Sequence, residues 1–301
     1  MTTSDALGAT HDPLVDHEGV LVATLASGSR GNCTYIGDAR RGVLVDCGIS
    51  ARQVLERLAA VGLGDVRIEA VLLTHEHTDH VAAAGVLDRR LAKAQGAPVP
   101  FYVTAGTLEG MAERIRPQRL EPVRAGDRLP WADGVLEAHA VPHDTLEPVA
   151  WTVVRGHARA GVVTDLGHAP RLVERLLASL DVAVVEFNHD EQLLLDGPYP
   201  WQLKQRIRGR HGHLSNAQAA DLVERGVGSR LRHLVLAHLS EENNTPAHAQ
   251  QAADAALHAI GRAGQVRVHI AEQARPLPAV HATGTPPPRP VQPTLFGAGH
   301  A

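Results

Sequence analysis

The residues with the clearest chemical potential lie in one short stretch, His75-Glu76-His77-Thr78-Asp79-His80. Its three imidazoles and its aspartate occupy relative positions 0, 2, 4 and 5, directly after an apolar run at 68–73 that predicts a short buried strand. Neutral imidazole and carboxylate are ligands for Zn, Mn or Fe, and catalytic sites of this kind keep a coordination position for water. A solvated histidine-rich loop is the alternative, but the convergence of ligand-type residues after a strand favours a metal site.

Three more ligand-type residues follow apolar strands later in the chain. His143 comes after Val141-Pro142, Asp165 after a run at 161–164, and His238 after a run at 234–237. Each has an ordinary alternative, such as an exposed turn for His143 or a helix cap for Asp165. A two-metal site needs more ligands than the central stretch holds, and it needs a bridging carboxylate, for which Asp165 is the candidate.

A basic segment at 199–211 is the best local candidate for gripping a nucleic acid. It precedes His213 and contains Lys204, Arg206, Arg208 and Arg210, together with Tyr199 and Trp201. Cations bind phosphates, and an aromatic ring can stack on a base. The alternative is a solvated basic helix end with Trp201 in the core. Asn188 and His189 are further candidate contacts to ligands or phosphate.

The hydrophobic pattern predicts strands in groups with helices between them. Predicted helices include 51–61 capped by Ser50, 81–94, 107–115, 171–180 and 216–225 capped by Ser215. This alternation is typical of a layered α/β fold with sheets inside and helices outside. We expect a disordered leader at 1–18, one hydrolase domain at 19–273, and a disordered proline-rich tail at 274–301.

Composition limits the classes of function. A net charge of -4 gives no global attraction for nucleic acid, so such binding must depend on a local basic patch. Cys33 and Cys47 are too few for a disulfide framework and are expected to be small buried residues. The polar N-terminus lacks the features of a signal peptide, and no apolar stretch is long enough for a bilayer, so a cytoplasmic location is expected.

The central stretch resembles the HxHxDH motif of the metallo-β-lactamase fold, and His143, Asp165 and His238 match the order of that superfamily's other ligands. Flanking stretches narrow the resemblance, over residues 20–272, to the YycJ (WalJ) branch, whose members are described as DNA exonucleases. These stretches include Ser27-Gly28-Ser29-Arg30-Gly31-Asn32, Glu186-Phe187-Asn188-His189-Asp190, Gly212-His213-Leu214-Ser215-Asn216 and Ala237-His238-Leu239-Ser240-Glu241-Glu242-Asn243-Asn244. The resemblance implies a four-layer αββα sandwich with the site at one edge.

The same resemblance divides the ligands between two divalent ions, Zn or Mn. His75, His77 and His143 would hold one ion, Asp79, His80 and His238 the other, and Asp165 would bridge them. The stretch at 213–220 also resembles the HST-x-x-QAA segment of ribonuclease Z, which makes His213 a candidate general acid or phosphate clamp. The chain lacks the inserted arm of that enzyme and the inserted domain of β-CASP nucleases, which counts against their substrates.

The sequence therefore predicts a two-metal phosphodiesterase, a DNA exonuclease linked to replication or repair, with Asp79, Asp165 and His213 as catalytic residues. The predicted substrate contacts are Ser29, Asn32, Asn188, His189, Lys204, Arg206, Ser215 and Asn216. Alternatives are a metallohydrolase of a cyclic phosphodiester, thioester or lactone, an RNA nuclease, or a non-catalytic DNA or clamp adapter.

The tail contains a candidate partner-binding peptide. Gln292, Leu295 and Phe296 resemble the QxxLF-type peptide that docks on the bacterial sliding clamp. Its two apolar side chains would fill a hydrophobic pocket after the peptide becomes ordered on binding. A tail without a partner is the alternative, because short peptides match by chance.

Overall fold

Two β-sheets face each other across one shared apolar core. The computed structural model describes residues 19–132 and 134–284, and within that part of the chain each sheet has seven strands. The predicted leader at 1–18 and the peptide with Gln292, Leu295 and Phe296 lie outside the described residues. None of the described helices has the length and apolar composition needed to cross a bilayer.

The strands are short, and four of those that the structure describes are buried along their whole length. In chain order they are β1 (Val20–Ala26), β2 (Cys33–Gly37), β3 (Arg41–Val45), β4 (Arg67–Leu72), β5 (Phe101–Thr104), β6 (Leu120–Val123), β7 (Arg128–Trp131), β8 (Gly134–Ala140), β9 (Val149–Arg155), β10 (Ala158–Val163), β11 (Val182–Glu186), β12 (His233–Ala237), β13 (Arg267–Ile270) and β14 (Val280–Ala282). The four strands buried along their whole length are β1, β2, β11 and β12. The first sheet has the order β14-β1-β2-β3-β4-β5-β6, and the second has the order β13-β12-β11-β10-β9-β8-β7.

Successive side chains of each central strand enter different apolar clusters. On β1, Val20 and Val22 face the second sheet, whereas Leu21 and Ala23 face outward into a separate cluster. This is the period of two that a strand imposes on its side chains. Because both faces are covered, the strands are continuous apolar runs in the sequence, which is typical of sheets buried on both sides.

Helices cover the outer face of each sheet. They are α1 (Ala51–Ala60), α2 (Thr78–Val81), α3 (Ala84–Gln95), α4 (Ala105–Gly110), α5 (Arg171–Ala178), α6 (Glu191–Asp196), α7 (Trp201–Ile207), α8 (Asn216–Gly226) and α9 (Pro246–Ala259). Leu58 of α1 and Leu87 of α3 pack on the first sheet. Leu176, Leu222 and Leu257, from α5, α8 and α9, pack on the second. The predicted four-layer αββα sandwich is confirmed, as are the helix caps Ser50 and Ser215.

The strand directions bring several strand ends to one edge of the sandwich. Strands β3 and β4 are parallel, and so are β10, β11 and β12. Strand β8 has the same direction as β10, because both are antiparallel to β9. The carboxyl ends of parallel strands share an edge of a sheet, and ligands bind there in α/β proteins. The predicted ligands follow β4, β8, β10 and β12 and therefore belong to the same edge.

The folded part extends further than the predicted boundary at 273. Strand β14 pairs antiparallel with β1, with Val20 opposite Ala282, so the described chain remains part of the first sheet up to that residue. The helix predicted at 81–94 corresponds to α3, which the short helix α2 precedes. The helix predicted at 107–115 ends at Gly110 and is followed by a 3-10 turn (Glu113–Ile115). Gly110 lies against Glu76, whose Cγ would be 2.4 Å from a β-carbon there.

Candidate metal centre

Three imidazoles from two loops form the first cluster of ligand atoms. His75 Nε2 lies 3.1 Å from His77 Nδ1, and His143 Nε2 lies 3.3 Å from the same atom. Two ligand nitrogens on one tetrahedral zinc, with bonds of 2.0–2.1 Å, are about 3.3 Å apart. Burial lowers the pKa of all three side chains, so they are neutral and offer lone pairs. A cation bound among these three nitrogens explains why their lone pairs lie so close together.

A second cluster lies beside the first and contains one carboxylate. Asp79 Oδ2 is 3.4 Å from His80 Nε2 and 3.4 Å from His238 Nε2. Although burial alone would lower the pKa of both histidines, neighbouring carboxylates raise that of His238 to about 9 and that of His80 well above its ordinary value. The carboxylates create a negative potential that keeps the two histidines protonated. The same potential favours a divalent cation in place of these protons.

Asp165 lies between the two clusters. Its Oδ1 is 3.5 Å from His238 Nε2 and 3.9 Å from His143 Nε2, and its Oδ2 is 3.5 Å from His80 Nε2. The Oδ2 atom is buried and has no hydrogen-bond partner among the described residues. A buried carboxylate oxygen without a partner is costly, and a metal ion removes that cost. The donor set around this carboxylate therefore fits divalent metal binding.

Asp46, which sequence reasoning did not identify, orients the central stretch. It is buried at the end of β3, and its Oδ2 lies 2.8 Å from His80 Nδ1, which leaves Nε2 of that ring facing Asp79 and Asp165. Its Oδ1 also accepts the backbone N–H of Thr74 at 2.9 Å, one residue before His75. A carboxylate on the far nitrogen of a ligand histidine fixes the ring's orientation and tautomer. Its position directly after an apolar strand was the available signal.

Residues 27–32 form a loop that supports the second cluster through hydrogen bonds to the backbone of its residues. The backbone N–H of Asn32 donates to the carbonyl of Asp79 at 2.8 Å, and the backbone N–H of His238 donates to Ser27 Oγ at 2.7 Å. Gly48 permits this close approach, because a β-carbon there would lie 1.6 Å from the Asp79 carbonyl oxygen. Asn32 is thus a buried support of the ligands, whereas Ser29 lines the cleft in front of them.

His213 contacts the centre from one side and is held by a buried glutamate. Its Nδ1 is 3.0 Å from Glu186 Oε2 and 3.7 Å from Asp165 Oδ1. The other oxygen of Glu186 accepts the backbone N–H groups of Leu166 and Leu214, at 2.7 and 3.0 Å. Because both oxygens already accept hydrogen bonds, Glu186 suits an orienting role better than metal binding. Its place at the end of an apolar strand, β11, is the same signal that identified the ligands.

A cleft with a volume of about 390 Å³ opens onto the ligand clusters. Asn188 lines it and donates to the carbonyl of His238 at 2.9 Å, while His189 is buried behind it. Arg206 lines the cleft on α7. Tyr199 is also at its wall, and Trp201 is 57% exposed, so Trp201 does not fill the core.

Three of the predicted substrate contacts have structural partners instead. Lys204 is on the buried face of α7, where its Nζ donates to the carbonyls of Leu195 and Gly197 at 2.6 and 2.7 Å. Lys204 does not line the cleft, so this placement does not favour the predicted phosphate contact. Ser215 caps α8, and the buried amide of Asn216 donates to Asn244 at 2.9 Å. Neither lines the cleft.

Comparison with known proteins places this centre in a family. The Beta-lactamase superfamily domain matches residues 41–239. Exodeoxyribonuclease WalJ of Streptococcus pneumoniae is 31% identical over 231 residues, which cover 75% of this chain and 84% of WalJ. The chain belongs to the beta-lactamase superfamily, in its WalJ-like branch. It is a metal-dependent hydrolase, and the predicted relationship to the YycJ (WalJ) proteins is confirmed.

Two further relatives of this superfamily support the assignment. Ribonuclease Z of Mycobacterium marinum is 39% identical over 220 residues, which cover 65% of this chain and 75% of that enzyme. The metallo-beta-lactamase fold protein YhfI from Bacillus subtilis has a TM-score of 0.64 at 15% identity, over 86% of this chain and 99% of YhfI. At that identity the structural match shows the superfamily's fold alone.

Proposed function

We propose that this metallohydrolase is a two-metal phosphodiesterase that degrades DNA from an end, in replication or repair. The observation that carries the proposal is the position of Asp165 at the floor of an open cleft, where its Oδ1 lies 3.9 Å from His143 Nε2 of the first cluster and 3.5 Å from His238 Nε2 of the second. The similarity to a protein named as an exodeoxyribonuclease supports DNA as the substrate. We expect the enzyme to act in the cytoplasm.

The donor set of imidazoles and carboxylates suits Zn or Mn. Divalent ions at such a centre supply a nucleophile at neutral pH and neutralise the charge that develops on phosphorus. The chain's own carboxylates on Asp79 and Asp165 accept hydrogen bonds and orient the attacking water. Asp79 keeps a low pKa despite its burial, because His80 and His238 lie beside it, so its carboxylate stays ionised.

His213 is the candidate proton donor to the departing oxygen. Glu186 accepts the N–H at Nδ1 of His213, which leaves Nε2 as the nitrogen available to a substrate in the cleft. A positioned acid of this kind accelerates cleavage when the leaving oxygen is a poor leaving group. An alkoxide leaving from a nucleotide is such a group, so His213 suits hydrolysis of nucleic acids.

The cleft wall offers contacts to both parts of a nucleotide. Arg206 and the hydroxyl of Ser29 can bind phosphate oxygens, whereas Tyr199 and Leu203 offer apolar and aromatic surface to a base. Trp201 lies exposed at the start of α7, next to this wall, and can stack on a neighbouring base. With a volume of about 390 Å³, the cleft suits a terminal nucleotide better than the side of an intact duplex.

The second candidate function is hydrolysis of a small ester or cyclic phosphodiester. The partly apolar wall of the same cleft, which includes Leu203, Ile207 and Leu239, favours it. The metal centre serves either reaction, because the superfamily's function depends on the walls of the pocket.

Incubation of the purified chain with end-labelled single- and double-stranded DNA in Mn²⁺ or Zn²⁺ tests the proposal. The matched inactive control is Asp165→Asn, which keeps the shape of the side chain but removes its charge. We expect stepwise shortening from one end by the wild type and none by the variant. Cleavage of small esters alone, with the DNA left intact, would overturn the nuclease function in favour of the second candidate.

A further inference from the structure

Two arginines beside the cleft are each held by a carboxylate from another segment. Arg206 on α7 donates through Nε to Asp144 Oδ2 at 2.6 Å, and Asp144 follows the ligand His143. Arg30, in the loop at 27–32, pairs with Glu241, which follows β12. Arg206 and Asp144 line the cleft, and the second pair adjoins it in the chain, because Ser29 and Ser240, the chain neighbours of Arg30 and Glu241, line the cleft too.

Both ion pairs are exposed to solvent. The side chains of Arg206 and Asp144 are 60% and 26% exposed, and those of Arg30 and Glu241 are 67% and 42% exposed. Exposed pairs of this kind add little to the stability of a fold. A guanidinium binds phosphate in the same planar, two-point geometry in which it binds a carboxylate, so a phosphate can replace the carboxylate at small cost.

The number of phosphates in a substrate decides whether this exchange can occur. A small phosphodiester has one phosphate, and hydrolysis requires that phosphate at the ligand clusters, so none remains for the two arginines. A polynucleotide places further phosphates along the cleft while one is at the centre. Asp144 lies close to the first cluster as well, since its Oδ1 is 3.4 Å from His143 Nε2.

We propose that Arg206 pairs with Asp144 and Arg30 pairs with Glu241 in the free enzyme. When a polynucleotide binds, both arginines leave these carboxylates and bind the phosphates that flank the scissile one. The cleft mouth thereby selects polyanionic chains over single phosphodiesters. This inference rests on the proposed nuclease function and names its specificity residues.

The test compares kcat/KM for a single-stranded oligonucleotide with kcat/KM for bis-p-nitrophenyl phosphate in the same Mn²⁺ buffer. The variants are R30Q, R206Q, D144N and E241Q. We expect each arginine variant to lower the ratio of the two values about tenfold, from the loss of one charge-assisted phosphate contact. Each carboxylate variant frees an arginine and should raise the ratio about two- to fivefold. Anisotropy titrations should show the salt slope of oligonucleotide binding reduced by about 0.7 per lost arginine.

The matched control is R225Q, because Arg225 makes an exposed pair with Asp221 at 2.6 Å and neither residue lines the cleft. One outcome is that the wild type is active on oligonucleotides while the four variants change the ratio of the two kcat/KM values no more than R225Q does. That result overturns this inference and leaves the nuclease function in place. A wild type that shortens no oligonucleotide overturns both.

Discussion

Replacing Glu186 with glutamine should inactivate the enzyme through the protonation of another side chain. The amide oxygen of the variant can still accept the backbone N–H groups of Leu166 and Leu214, which Oε1 now accepts. The amide NH₂ must then occupy the position of Oε2, 3.0 Å from His213 Nδ1. That nitrogen now accepts a hydrogen bond, so the proton of the neutral ring moves to Nε2. A neutral imidazole with its proton fixed there is a very weak acid.

The size of the effect follows from that change of tautomer. General acid catalysis by a positioned side chain contributes about 10²–10⁴ in rate, equivalent to about 3–5 kcal/mol. Glu186→Gln should therefore lower kcat by about 10²–10⁴, as much as His213→Ala does. The fold should survive, because two of the three hydrogen bonds remain, and the stability lost should be about 1–3 kcal/mol. Chemical denaturation of both variants measures this.

Single-turnover cleavage of an oligonucleotide gives the rate, and two comparisons make the test sharp. The double variant Glu186→Gln/His213→Ala should be no slower than His213→Ala alone, since the glutamate acts through the histidine. With a p-nitrophenyl leaving group, which departs without a proton, the loss in Glu186→Gln should nearly disappear. Equal losses on both substrates, or losses that multiply in the double variant, would refute the reasoning and indicate that Glu186 supports the centre in another way.

Three further predictions concern the ions, the loop behind them and the tail. Asp165→Asn removes the shared charge, so metal analysis should find fewer than two ions per chain; two retained ions would contradict bridging. Gln273→Ala removes two hydrogen bonds to the loop at 27–32, one of 2.8 Å with Arg30 N and one of 3.0 Å with Gly31 O. The variant should lose about 1–3 kcal/mol of unfolding free energy in denaturant and should lose metal from the second cluster more readily. An unchanged unfolding midpoint would show that the loop needs no such support. Deletion of residues 292–296 should abolish binding to the bacterial sliding clamp, measured by surface plasmon resonance, while cleavage of short oligonucleotides stays unchanged; equal clamp affinity ends that idea.

The fold could be predicted where one pattern served two purposes. An apolar run followed at once by a ligand-type residue predicted both a buried strand and a site at its end, as in β4, β10 and β12. Parallel strands with both faces covered leave only their ends for polar function. Seven separate side chains could be assigned to one edge of the sandwich because their positions after apolar runs also matched the resemblance to the metallo-β-lactamase fold.

The strands that sequence reasoning missed lie at the edges of the sheets. Strands β6 and β7 contain Pro122 and Pro130, and a proline inside a run argues against a central strand. At an edge a proline is tolerated, and it protects the exposed backbone from pairing with another chain. Strand β14 is three residues long and depends on its partner β1, a tertiary contact that no local pattern encodes.

The roles of single polar residues were harder to predict, because the composition of a segment does not show where each of its side chains points. Lys204 was grouped with neighbouring arginines by charge, but α7 turns it toward the carbonyls at the end of α6. Glu186 and Asp46 were visible at strand ends, and their roles depend on contacts with His213 and with His80. Such contacts join segments far apart in the chain, so they appear only in the folded structure.

The backbone itself connects these polar residues to function. Asp46, Asp165 and His238 have φ values of 61°, 62° and 54°, in the left-handed region that costs free energy for residues other than glycine. Asp46 and His238 follow a strand directly, and Asp165 lies two residues after the end of β10, so the left-handed residue is where the chain leaves the sheet. Aspartate and histidine tolerate this conformation better than most residues, and they are also the ligand types that the centre requires. Substitution by glycine would relieve the backbone but remove either a predicted ligand, Asp165 or His238, or the carboxylate of Asp46 that orients His80, so the strain persists because the centre needs these side chains.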